Sequence, residues 1–430
     1  MNTNGNVVVK LKVGDTESDE LSFSVEDIIE LNVVEDIYDF CMSGNITFYD
    51  RTGWTELIEH VGGIYPLVIM WKNEDEEFVK KMFSIYHTEP IIEESQLETA
   101  ITKQKWYFLE PTFSSFTTKR YSKSWGEEES ASTIFEDIFK NFIGYESTSK
   151  FVYNETPNEK FDNFSMLNWT PAESIKWLKE RCSGSSSKMA GYLFFNNSLG
   201  SNFVTLPYLF EQEKAKNKRE EKNTYVFGSS NDNLNRIFGW WVDPPKKIDE
   251  QYLGGGISYG YDFDGKSIKE QRFLYTDFFK NNDTGNALKT YGSAQVSTFS
   301  NIGNWKPPVF LECEPDINKI KNIYNSKFLC KYFTENTANI TVRGSATRYA
   351  GMVIDISWKS AVAEFKNNKM MEGLWIVKSI THQFIPTGVK PAFRQLLVCM
   401  KPGYNNMEVG KNYVLSKDSS SNSNTTVLKT

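Results

Sequence analysis

Alternation of apolar and polar side chains is sharpest in the C-terminal stretch from Pro315 to Pro402. Met352, Ile354, Ile356 and Trp358 fall on one face of an extended run, and Asp355, Ser357 and Lys359 fall on the other. A strand with one wet side belongs to an antiparallel sheet, here expected to curve into a small barrel or sandwich. Ala338–Gly344, Gly373–His382 and Ala392–Met400 supply companion strands between turn formers, and Ile317, Ile320, Tyr324 and Phe328 precede them at helical spacing. The N-terminus reads the same way. Val7–Val13, Ile28–Val34, Ser43–Tyr49, Tyr65–Trp71, Lys81–His87 and Lys105–Leu109 are expected strands of a β domain ending near Pro111, with a polar loop at Gly14–Asp19 and a short helix at Thr52–Ile58.

The two ends repeat one another in outline. Leu67–Trp71 matches Met352–Trp358 in character, and a charged excursion follows each, Lys72–Lys80 and Lys359–Glu372. Phe83–Pro90 parallels Val377–Pro386, and Trp106–Pro111 parallels Leu397–Pro402. Between them the texture changes. Thr133 with Glu136 three residues on suggests a capped helix carrying Ile134, Phe135, Ile138, Phe139 and Phe142, stopped by Gly144. Thr170-Pro-Ala-Glu173 is a full capping box, ahead of Ile175, Leu178 and Cys182 on one face and a stop at Gly184–Ser187. Tyr192–Phe195 and Phe203–Leu206 predict a hairpin, and Glu211–Lys222 a solvated helix or loop. Tyr225–Phe227 and Arg236–Val242 predict strands halted at Pro244-Pro245, with a hairpin turning at Asp264-Gly265 and another strand within Gln271–Phe279. Ser419–Thr426 has no apolar residue, so the tail is expected to lack order of its own.

The succession of this helix, Ile340-Thr-Val-Arg-Gly344, Tyr349-Ala-Gly-Met-Val-Ile-Asp-Ile356 and Gly373-Leu-Trp-Ile-Val-Lys-Ser-Ile-Thr-His382 resembles the tube-like domain of phage baseplate hub proteins. The pattern is shared with late-control proteins of contractile tails and with the hub part of VgrG-type spike proteins. It covers the last quarter of the chain well and the first quarter more loosely. The resemblance implies an α+β, mainly β fold with two tube-like antiparallel β-barrel domains and an α/β insertion domain between them. The expected parts are a first tube-like domain at 1–111, a helix-plus-hairpin insertion at 112–210, a mainly β middle at 211–314, a linking helix and second tube-like domain at 315–402, and a polar tail at 403–430. It also implies a homotrimer whose six similar units let a six-fold tail tube seat on a three-fold spike. The implied partners are the tail tube protein, the central spike, the tape-measure protein and baseplate wedge proteins. Unlike the VgrG pattern, no spike follows Pro402, so the spike is expected to be a separate chain.

Composition narrows the chemistry. The 430 residues carry a net charge of −7, which argues against a nucleic-acid-binding surface but suits a conduit that DNA passes without sticking. Cys41, Cys182, Cys313, Cys330 and Cys399 are scattered and lack a Cys-x-x-Cys pair, so free thiols in a reducing cytoplasm are expected. Neither a secretory signal nor a membrane span is expected, and the place of action implied is the virion tail after synthesis in the host cytoplasm. His60, His87 and His382 have no partner at helical metal spacing. Ser183-Gly-Ser lacks the setting of a nucleophile elbow, Gly254–Gly256 opens no phosphate loop, and Asp262–Gly265 has only part of a calcium loop. Glu93-Glu94, Glu127–Glu129 and Glu220-Glu221 read as solvated faces. No catalytic, cofactor-binding or metal site is therefore assigned, and no enzyme activity is expected. The alternative is a carbohydrate-binding or glycan-degrading protein using the aromatic run Trp240–Phe263 (Trp240, Trp241, Tyr259, Tyr261) as a platform.

Overall fold

A computed structural model describes residues 6–12, 20–56, 66–73, 76–91, 102–161, 163–187, 189–220, 224–227, 234–242, 256–262, 267–273, 309–311, 317–334, 336–358, 372–386 and 392–401. His60, Cys313, Glu93-Glu94, Gly254, the turn at Asp264-Gly265 and the tail at 403–430 lie outside the described residues.

The chain is mainly β, with a large curled sheet and few helices. Its N-terminal strands are β1 (Asn6–Lys12), β2 (Glu20–Ser22), β3 (Ile28–Asp36), β4 (Ser43–Asp50), β5 (Pro66–Lys72), β6 (Val79–Ile91) and β7 (Thr102–Leu109). The alternation that predicts them is visible in burial: Gln104, Trp106 and Phe108 point inward along β7, and Lys103, Lys105 and Tyr107 point outward. Next come α1 (Thr112–Thr117), β8 (Tyr121–Ser124), β9 (Glu129–Ser130), α2 (Ala131–Ile138), β10 (Tyr153–Asn154), β11 (Lys160–Phe161), β12 (Ser165–Trp169), α3 (Pro171–Arg181), β13 (Tyr192–Asn196), β14 (Ser201–Thr205) and α4 (Leu206–Glu220). The remainder is β15 (Thr224–Phe227), β16 (Arg236–Ile237), β17 (Gly239–Val242), β18 (Gly256–Asp262), β19 (Ser267–Phe273), β20 (Val309–Leu311), α5 (Ile317–Phe333), β21 (Asn336–Arg343), β22 (Val353–Trp358), β23 (Gly373–Ile385) and β24 (Ala392–Lys401).

Local signals succeed or fail for identifiable reasons. The capping box holds: the Thr170 hydroxyl accepts from the Glu173 N–H while the Glu173 carboxylate accepts from the Thr170 N–H, and Pro171 opens α3. α2 starts earlier than its sequence suggests. Ser130, not Thr133, is the cap, and its hydroxyl accepts from the Thr133 N–H at 3.1 Å. Gly144 ends that helical stretch in the left-handed region, at φ 97°. The charged run in α4 is not simply solvated, because Glu213 and Asn217 are buried within it. β19 lies earlier than expected, Asp262 pairing with Ser267 across the hairpin.

Fourteen described strands join in one sheet. Its N-terminal run is ordered β3-β4-β7-β6-β5-β1, and its C-terminal run β17-β21-β24-β23-β22-β15. The two orders match position for position, although β1 runs antiparallel to β5 and β15 parallel to β22. β6 and β23 are each 13 residues long, and each bulges against its successor, between Ile85 and His87 and between Val377 and Ser379. The sheet is not antiparallel throughout: β15 runs parallel to β22 and to β16. A parallel pair needs a long crossover, which the whole stretch between β15 and β22 supplies. Arg236–Ile237 pairs with β15 and Gly239–Val242 with β21, so one short segment touches both borders of the C-terminal run.

Three apolar cores lie under these elements. One fills the N-terminal run around Trp71, Phe83, Trp106 and Phe108. A second fills the C-terminal run around Ile354, Trp375, Ile380 and Leu397. The third is an aromatic cluster of Phe116, Phe135, Phe139, Phe194 and Phe203. Each large buried side chain contributes about 1.5–3 kcal/mol. Close approach demands glycine at one place on β4: a Cβ on Gly44 would stand 2.1 Å from the Asn32 carbonyl oxygen and 2.6 Å from the Phe108 ring. Gly44→Ala is expected to destabilise by about 1–3 kcal/mol in urea unfolding. Gly126→Ala, with nothing within 4 Å of the new methyl, is expected to stay within about 0.5 kcal/mol of the parent.

Candidate functional site: the joint between the two runs of the sheet

The two runs meet where β3 pairs antiparallel with the second half of β23, Leu31 opposite Phe384 and Asp36 opposite Ser379. The Ile37 N–H donates to the Lys378 carbonyl at 3.0 Å, and the Lys378 ammonium sits 2.9 Å from the Asp36 carboxylate. Polar residues occupy the inward face here. Glu35 continues the line of Leu31 and Val33, His382 lies between Ile380 and Phe384, and Gln395 lies between Phe393 and Leu397. All three are fully buried. Buried polar groups need complete hydrogen bonding to be tolerated, and these have it.

Arg348, also buried, sets the direction of the network. Its guanidinium can only donate. It reaches the Gln395 Oε1 at 2.6 Å, the Tyr225 hydroxyl at 2.7 Å, the Leu234 carbonyl at 2.8 Å and the Asn235 Oδ1 at 2.9 Å. With its oxygen turned to Arg348, the Gln395 amide nitrogen donates to the Ser345 carbonyl at 2.6 Å and lies 2.9 Å from His382 Nδ1. Nδ1 therefore accepts, Nε2 carries the hydrogen, and His382 donates to Glu35 Oε1 at 3.1 Å. Glu35 also accepts from the Ser198 N–H at 3.1 Å and the Ala350 N–H at 2.8 Å. The turn carrying Ser198 is tied in twice more, by Asn197 Nδ2 to the Ala350 carbonyl at 2.9 Å and by Lys81 to the Asn197 carbonyl at 2.8 Å. Strands from both runs and the β13–β14 turn are thereby locked at one point.

Other buried and half-buried carboxylates act as struts. Glu155 accepts from the Ser187 N–H at 2.7 Å and the Thr205 hydroxyl at 2.5 Å. Glu159 accepts from the Ser183 N–H and hydroxyl and from Asn322 on α5, and burial still pushes its carboxyl above the usual range. Glu110 accepts from Asn196 and the Met42 N–H, again with burial holding its carboxyl up. Glu213 receives the Tyr349 hydroxyl. Glu76, between β5 and β6, receives the Ala346 N–H at 2.6 Å and the Ser345 hydroxyl.

The residues singled out from sequence are not brought together. His382 is in the joint, whereas His87 is exposed and stacks on Tyr107. Ser183 serves Glu159. Glu127 and Glu128 are exposed. Trp240 and Trp241 are exposed on β17; Trp240 stands edge-on to Trp358, which stacks flat on Phe227 at 3.8 Å. Tyr259 and Tyr261 lie on β18. Among the described residues no group of three His, Cys, Asp or Glu could hold a metal ion, and no helix is long and apolar enough to cross a membrane. Glu35, Arg348 and Gln395 escape a motif search; the signal for Glu35 and Gln395 is a polar residue in phase with the core face of a strand, and Arg348, in the turn between β21 and β22, carries none.

No family model and no curated protein matches this sequence. Solved structures do. A tail protein from Neisseria meningitidis superposes with TM-score 0.55 at 6% identity, covering 93% of this chain and 97% of that one. The 43 kDa tail protein of prophage MuSo2 from Shewanella oneidensis superposes with TM-score 0.52 at 10% identity, covering 93% of this chain and 99% of that one. The fold is that of these tail proteins. A chain of the Francisella PdpA–VgrG complex aligns at TM-score 0.49 and 10% identity over 93% of this chain and 59% of its own length, a likeness too loose to carry an argument.

Proposed function

We infer that this chain is a structural, non-enzymatic hub subunit of a phage tail baseplate, three copies of which form a ring that adapts a six-fold tail tube to a three-fold spike. The correspondence of β3-β4-β7-β6-β5-β1 with β17-β21-β24-β23-β22-β15 carries the reading, because two like modules per chain make six like modules per trimer. In this reading residues 1–111 and 335–402 are tube-like barrels, the second closed by the segment 236–242, while 112–210 is an insertion between them and α5 the linking helix. The joint network sets the angle between the two modules, and with it the ring's curvature. Partners in the virion are the tail tube, the central spike, the tape-measure protein and baseplate wedges, with DNA passing through the ring unbound.

Class averages of the purified protein by electron microscopy are the test. The expected particle is a three-fold ring with six similar lobes around a central opening; a monomeric particle, or a ring with lobes of two unlike kinds, defeats the proposal. The glycan-binding alternative draws on Trp240 and Trp241, exposed on β17, with Tyr259 and Tyr261 on β18.

A further inference from the structure

We propose that Asn336 and Lys401 join through their side chains in an amide bond, the lysine nitrogen displacing the asparagine amide nitrogen as ammonia. Such a bond belongs to the C-terminal run alone and does not depend on the ring. Asn336 opens β21 and Lys401 ends β24, and the two stand directly opposite one another in the antiparallel ladder. Both lie on the core face. Asn336 continues the inward line of Ala338, Ile340 and Val342, and Lys401 continues that of Leu397 and Cys399. Directly opposed residues hold their Cβ atoms about 4.5–5.5 Å apart, within reach of a four-carbon arm.

Each group is costly as it stands. Asn336 and Lys401 are both 3% exposed. Among the described residues neither Oδ1 nor Nδ2 of Asn336 has a hydrogen-bond partner, whereas Gln395 and His382 on the same face are bonded at both ends. The Lys401 nitrogen rests 3.3 Å from the Glu372 carbonyl oxygen and 4.5 Å from the Trp375 ring centre. An orphaned buried amide and a buried ammonium both oppose folding, and apolar residues of like size would suit this core better. Joining them removes the ammonium and the primary amide together, and leaves one carbonyl and one N–H.

The surroundings supply what the reaction needs. Burial draws the Lys401 titration down to about 7, so near neutral pH a large share of it is the uncharged amine that can attack. Trp375 beside the amine, and Ile354 opposite Trp375 across β22 and β23, are buried and keep water from competing for the asparagine carbonyl. The Glu372 carboxylate acts on Lys401 electrostatically and is the proton carrier. Lys401 Nζ bonds to Asn336 Cγ, and Glu372 takes a proton from that nitrogen and passes it to Nδ2. The Cγ–Nδ2 bond then breaks and ammonia leaves. Amine and primary amide become secondary amide and ammonia, with no oxidant needed. The product ties β21 to β24 across residues 336–401. It would persist in reducing surroundings, where Cys41, Cys182, Cys330 and Cys399 remain free thiols.

Intact mass spectrometry of the unaltered full-length protein, held folded in mildly alkaline buffer, is the test. The expected mass is that of the sequence less one ammonia. Tandem spectra of a tryptic digest should show the peptide Tyr332–Arg343 branched onto Gln395–Lys411 through Asn336 and Lys401. Lys401→Met and Asn336→Ala should each show the full mass of their own sequence. Glu372→Gln, at a half-buried position, should form the bond about 10²–10⁴-fold more slowly over the same period. An equal rate would overturn the role given to Glu372. The full sequence mass in the unaltered protein overturns the bond. So does an ammonia loss that maps to a single unbranched peptide, the mark of a succinimide, or conversion of Asn336 to aspartate by water.

Discussion

Glu35→Ala should lower the unfolding free energy by about 3–5 kcal/mol, because it strips the acceptor from three buried donors at about 1–3 kcal/mol each. The carboxylate is fully buried and accepts from Ser198, Ala350 and His382. Alanine would leave two backbone N–H groups and an imidazole N–H facing a cavity in which nothing can accept them. Glu35→Gln keeps one acceptor oxygen and should cost about 1–3 kcal/mol. Urea unfolding gives both values, and a Glu35→Ala protein within 1 kcal/mol of the parent would show that the joint is held by its ladder alone. A double-mutant cycle with Arg348→Met should show a coupling of about 0.5–3 kcal/mol, because the two groups are linked through Gln395 and His382.

Against an Asn336→Ala parent, in which Lys401 stays an amine, Lys401→Met should do the opposite and stabilise the protein. Lys401 ends β24 with its ammonium 4.5 Å from the Trp375 ring centre and 3.3 Å from the Glu372 carbonyl, at 3% exposure. Burial pulls its titration from 10.5 down to about 7, the Glu372 carboxylate working in the other direction. The folded protein thus releases this proton near pH 7, while the unfolded chain holds it to about 10.5. Between those values the unfolded state binds more protons, so stability climbs with pH across that window and the full penalty stands below it. At about 1.4 kcal/mol per unit, less what its present contacts contribute, methionine should gain on the order of 2–3 kcal/mol at pH 7. The rise in stability from pH 7 to 10 should flatten with it. Denaturant midpoints across that range check both, and an unchanged slope would mean that Lys401 is not the titrating group.

Much of the fold is legible in the sequence. Period-two alternation places β3 to β7 and β21 to β24 within a few residues, because each strand needs only a wet and a dry face. Thr170-Pro-Ala-Glu173 locates the start of α3, since a capping box satisfies its own backbone donors without help from the rest of the molecule. The start of α2 is misplaced by the same logic, because Ser130 and Thr133 are both competent caps and the pairing of β9 with β11, which holds Ser130 extended, chooses between them. The parallel placement of β15 leaves no local mark, because the residues of a strand look alike whichever way its neighbour runs. Neither does the joint: Glu35, His382, Gln395 and Arg348 are scattered over the chain, and only their convergence makes a site.

The primary structure alone determined which residues face a core, where α3 begins and that the chain's ends echo one another, since each follows from contacts a few residues apart. The tertiary structure decided that β23 belongs to both runs and that four distant polar groups form one directed network. Those depend on strand pairing over hundreds of residues, where loop closure and the register of whole sheets outweigh any local preference.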